Sequence, residues 1–103
     1  MVIIFKSEKA RNYLLTHGAV YTMRARRRKM VGNDWMTDKR LGKKLKDVYV
    51  QEIGQVHFGP IPPKIVEQSG FSSLGEWEEE YCKLHSVPIE TSPQGWLYRV
   101  RLR

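Results

Sequence analysis

Apolar and polar residues follow two rhythms along this chain, one of period 3.6 and one of period 2. Val2 to Phe5 is an unbroken apolar run rich in β-branched residues, which predicts a short buried strand. Ser7 is placed as an N-cap. Ala10, Tyr13, Leu14 and His17 then recur at i, i+3, i+4 and i+7, the spacing of one helical face, and Gly18 stands where a C′ glycine ends such a helix. Ala19 to Met23 reads as a second strand leading into a run of arginines.

Periodicity fades between residues 26 and 46. Gly32-Asn33-Asp34 and Leu41-Gly42 are turn-like, so the pattern predicts a long, partly mobile loop, and loops of that length are usually functional or disordered. Val48 to Phe58 is a strand long enough to need a bend, for which Gly54 offers a bulge. Pro60, Pro62 and Pro63 stop the sheet, and Pro63 can start a short helix through Glu67 that ends at Gly70. Ser73 and Glu76 fit a capping box, followed by Leu74, Trp77, Tyr81 and Leu84 as the buried stripe of a helix to about His85. Pro88 and Pro93 mark a loop. Trp96 to Leu102 alternates, with Trp96, Tyr98, Val100 and Leu102 on one face and Arg99, Arg101 and Arg103 on the other. The order β-α-β-loop-β-α-α-β predicts one α+β domain over 1–103, a curved and mostly antiparallel sheet or partial barrel with two main flanking helices.

Composition agrees with a folded domain: 103 residues, 41% hydrophobic and 11% aromatic, are enough for one modest core. The apolar run Val2 to Phe5 is too short for a membrane span or a signal-peptide core. The one cysteine excludes an internal disulfide, so a cytoplasmic protein that does not enter membranes is the expectation.

Charge changes the picture most. Of the eighteen Lys and Arg residues, Arg24, Arg26, Arg27, Arg28, Lys29, Lys39, Arg40, Lys43, Lys44 and Lys46 fall in one window opposed only by Asp34 and Asp38. That window accounts for essentially all of the formal net charge of +7. A concentrated field of this kind attracts polyanions, and arginine's planar fork suits phosphates and base edges. Thr22 and Arg24 lie two apart on a strand and share a face. Tyr21 and Trp35 are either core aromatics or stacking platforms for an unpaired base. Lys39, Arg40, Lys43, Lys44 and Lys46 suit backbone phosphates, whereas Arg99, Arg101 and Arg103 read as a solubilising edge face. Cys82-x-x-His85 has half a zinc-site spacing with no second pair, so no metal is expected; nor does any glycine-rich phosphate loop suggest a cofactor.

Three pieces in order resemble an ASCH domain, of the PUA-like superfamily. They are the segment from His17-Gly18 through Val20-Tyr21-Thr22-Met23-Arg24 to Val31-Gly32, the strand Val48 to Phe58, and Gly70-Phe71-Ser72-Ser73-Leu74-Gly75-Glu76-Trp77 with the closing Trp96-Leu97-Tyr98. The resemblance implies a small PUA-like β-barrel that binds RNA in a cleft beside the first helix and second strand. Some members are amidohydrolases acting on N4-acetylcytidine through a lysine, a threonine and a glutamate. Here the threonine corresponds to Thr22, the lysine position is Ala19 or Val20, and the nearest carboxylate to the glutamate position is Glu67. An aliphatic side chain takes up no proton. The expectation is therefore a non-catalytic module for single-stranded or looped RNA. The alternatives are a small hydrolase or nuclease using Thr22 and Glu67, and a protein adaptor whose basic loop meets an acidic partner.

Overall fold

Local chemistry sets the first helix. In the computed structural model, which describes residues 2–85 and 94–103, Ser7 accepts the Ala10 amide at the start of α1 (Glu8–His17). Gly18 closes the helix at φ 85°, donating its amide to the Leu14 carbonyl. A short β1 (Val2–Ile4) precedes it and β2 (Ala19–Arg24) follows.

The predicted loop over 26–46 is corrected here, because it contains a strand, β3 (Gly32–Thr37). Gly32-Asn33-Asp34 has poor strand propensity, but β3 is paired on both sides, with β1 through Val2–Trp35 and with β4 (Lys46–His57) through Asn33–Tyr49. Tertiary pairing overrides local preference. The bend in β4 falls where expected: the register with β5 (Gln94–Leu102) slips between Glu52 and Gly54, and Gly54 takes φ 151°, which favours glycine. Pro63 opens α2 (Pro63–Glu67). Ser73 caps α3 (Leu74–His85) by accepting the Glu76 amide at 3.1 Å, but the Glu76 carboxylate turns to Ser72 instead of completing the reciprocal box. Leu84, expected in the buried stripe, is 47% exposed, and Cys82 is buried in its place. The loop marked by Pro88 and Pro93 lies outside the described residues.

Among the described residues five strands form one mixed sheet in the order β1-β3-β4-β5-β2, parallel only between β1 and β3. The strand β5 is therefore interior, not the edge strand its arginine row suggested. The two edges, β1 and β2, stand three strands apart in the sheet, yet Arg24 on β2 donates Nη1 to the Ile4 carbonyl on β1 at 2.6 Å. A sheet whose edges meet must curl, and the result is a half-barrel with an open seam. Helix α1 fills the concave side, where Leu14 packs against Phe5, Val20, Met36, Val50 and Tyr98. Fully burying each such side chain contributes about 1.5–3 kcal/mol. On the convex side α2 and α3 cover only the end beyond the bulge, through Met23, Phe58, Phe71, Trp77, Tyr81 and Leu97.

Candidate functional site

The seam is where the fold leaves work undone. Edge strands carry backbone groups with no neighbour to bond. Tyr21 sends its amide outward to the Gln68 carbonyl, away from β5. Strand alternation then points the N–H and C=O of Met23 the same way, into a cleft between β2, the β1–α1 corner and α3. On the β1 side, arginines cap the carbonyls: Arg24 takes Ile4, and Arg28 takes Val2 at 3.4 Å.

The cleft holds about 290 Å³, the lower end of the range for small-ligand sites. Tyr21, Thr22, Met23 and Arg24 form its floor; Phe5, Lys6 and Ser7 form one wall, and Trp77, Glu80, Tyr81 and His85 the other. Thr22 and Arg24, which share a strand face, both line the cleft. Glu67 does not join them, being exposed at the end of α2, and the carboxylate that lines the cleft with Thr22 is Glu80.

Arg24 dominates the electrostatics. Its guanidinium lies 4.9 Å from the centre of the Phe5 ring, and its buried Nε has no hydrogen-bond partner among the described residues. Burial, with a smaller effect of Arg28, lowers its pKa to about 10. A half-buried guanidinium in a cleft lining favours an anionic or carbonyl-rich neighbour. Burial, then Arg24 and Lys6, depresses the pKa of His85. Burial raises that of Tyr81, whose hydroxyl donates to the Gln94 carbonyl at 3.2 Å.

The basic window does not form one surface. Six-residue β3 runs through it, so Arg26–Lys29 and Lys39–Lys44 sit beyond opposite ends of a strand roughly 20 Å long. Arg27 makes a two-pronged pair with Glu52 at 2.9 and 3.1 Å and lies over Trp96. Arg28 is buried against Asp34, and its backbone amide donates to the Tyr98 hydroxyl. Lys44 pairs with Asp47. Arg26, Lys29, Lys39, Arg40, Lys43 and Lys46 are exposed. Trp35 is half-buried on β3, outside the cleft. Among the described residues no group of His, Cys, Asp and Glu is placed to hold a metal ion, and Cys82 is buried in the core. No described helix is long and apolar enough to cross a membrane.

Sequence reasoning missed Lys6, Trp77, Glu80, Tyr81 and His85. They come from segments far apart in the chain, and α3 reads only as a core helix until the seam is seen. Comparison with protein-family models, with characterised proteins and with solved structures returns no match.

Proposed function

We propose that the protein is a non-catalytic module for single-stranded or looped RNA that takes one unpaired nucleotide into the seam cleft. The observation that carries this reading is the half-buried Arg24 guanidinium in the lining of a cleft that aromatic side chains share. Tyr21, half-buried in the lining, supplies a ring on which an unpaired base can stack, and the planar fork of Arg24 suits a base carbonyl or a phosphate. Thr22 and the outward backbone groups of Met23 complete the polar lining. Arg26 and Lys29, just past the end of β2, suit phosphates near that nucleotide, and Lys39, Arg40, Lys43 and Lys46, beyond the other end of β3, suit phosphates further along the strand. The resemblance to ASCH domains of the PUA-like superfamily points the same way, as does the position of the cleft beside α1 and β2. A cytoplasmic protein with RNA as its partner follows from that reading.

An anisotropy titration with single-stranded RNA across salt tests it. With about five phosphates neutralised, log affinity falls against log salt with a slope of roughly −3.5. A flat response removes the proposal. Thr22 and Glu80 in one cleft also support a second reading, a hydrolase acting on a modified nucleoside. Turnover of N4-acetylcytidine that Thr22→Ala abolishes would favour it over the binding module.

A further inference from the structure

The convex face of the sheet, beyond the part that α2 and α3 cover, carries chemistry the cleft does not use. The register sets Tyr49 opposite Arg101 and Gln51 opposite Arg99, with Tyr21 on the other flank of Arg99. Trp35 stands opposite Asp47, two residues from Tyr49 on the same strand face. Tyr49, Gln51 and Arg101 are exposed, and Trp35, Tyr21 and Arg99 half-buried. The Arg101 guanidinium lies over the Tyr49 ring, 4.6 Å from its centre, a contact that holds the two groups together on the sheet face. Asp47, the acid within this row, is already held by Lys44 at 3.1 Å.

Rings and guanidinium planes side by side on an open sheet form a stacking platform for unpaired bases, and it reads no particular sequence. Charge selects that occupant. A second copy docked through the same face would bring like arginines together, whereas a polyanion neutralises them. Tyr21 belongs to both places, lining the cleft and flanking Arg99.

We infer that this open sheet face is a second contact surface for single-stranded RNA, on which the bases next to the one in the cleft stack. The inference rests on the RNA reading of the cleft and extends it to the neighbouring nucleotides.

The test uses the full chain, the double variant Tyr49→Ala/Arg101→Ala and, separately, Arg24→Gln. Circular dichroism confirms the fold of each. Anisotropy is measured with oligoribonucleotides of about four and about twelve nucleotides, bracketing a short and a long single-strand site. The double variant should bind the longer oligomer about tenfold or more weakly and the shorter one as the parent protein does, since one lost stacking contact is worth that much. Equal affinity of the double variant and the parent for the longer oligomer would overturn the platform, and loss through Arg24→Gln in the same experiment would leave the cleft reading standing. Absence of binding by the parent protein removes both. A dimer that the double substitution dissociates in light scattering, with RNA affinity unchanged, would assign the face to a second copy and overturn the inference.

Discussion

The two halves of the basic window look alike in sequence and behave differently in the fold. Between Arg24 and Lys29 three arginines are engaged: Arg24 clasps the β1 edge, Arg27 grips Glu52, and Arg28 is buried against Asp34 with further bonds to the Val2 and Met30 carbonyls. Between Lys39 and Lys46 the cations are exposed, and Lys44 with Asp47 is an exposed pair of small worth. The difference follows from what surrounds each half. The first leaves β2 at the mouth of the half-barrel, where the other edge strand offers bare carbonyls. The second rides a hairpin that projects from the sheet. A charge count thus predicts a field, while neighbouring backbone decides which charges are spent on the fold.

The contrast breaks most sharply at Arg28. Arg28→Met takes this cation from the Asp34 carboxylate and removes its bonds to the Val2 and Met30 carbonyls, and should cost about 1.5–3 kcal/mol, read from urea unfolding. Arg24→Met, by comparison, removes a buried cation with an orphaned donor and should change stability by less than about 1.5 kcal/mol while weakening RNA binding at least about tenfold. Equal destabilisation by the two variants would mean that Arg24 serves the fold as much as Arg28 does.

A smaller effect is expected from the hairpin. Lys39→Gln, Arg40→Gln and Lys43→Gln together should leave stability within about 0.5 kcal/mol and make the salt slope of RNA binding shallower by about 2. An unchanged slope would show that this half touches no phosphate.

The smallest effect concerns His85, which faces Arg24 of β2 and Lys6 of the β1–α1 corner, with Tyr81 and Glu80 on its own helix. Its pKa is depressed in the folded protein, so the unfolded chain binds the proton more readily. Stability is therefore unaffected above the unfolded value of about 6.5 and declines as pH falls below it. His85→Gln should flatten that decline in melts run between pH 7 and pH 5. A parallel decline in both proteins would mean that neither burial nor the two cations depress the imidazole's pKa.

Much of the fold was readable because local chemistry and tertiary structure agree. Ser7 and Gly18 bracket α1, Gly54 bends β4, and Pro63 opens α2, each through a backbone requirement visible in one residue. The strand β3 was hidden because glycine, asparagine and aspartate favour turns, and what holds them extended is pairing with β1 and β4, far away in sequence. The side-by-side placement of Thr22 and Arg24 was legible from a period of two. The third wall was not: Trp77, Tyr81 and His85 lie on α3 at helical spacing, and nothing local tells a core stripe from one that also borders a cleft. The row Arg99–Arg101 was misplaced for a related reason, since alternation gives the face of a strand but never its position in the sheet.

Strand order also dictates when this chain can finish folding. Among the described residues β1 pairs only with β3, and β2 pairs only with β5, about seventy residues further along the chain. A polypeptide emerging from synthesis thus holds β2 without a mate until β5 is free. Pairings so distant along the chain slow assembly, and a product shortened by β5 would leave both β2 and β4 with a bare flank, open to the wrong neighbour.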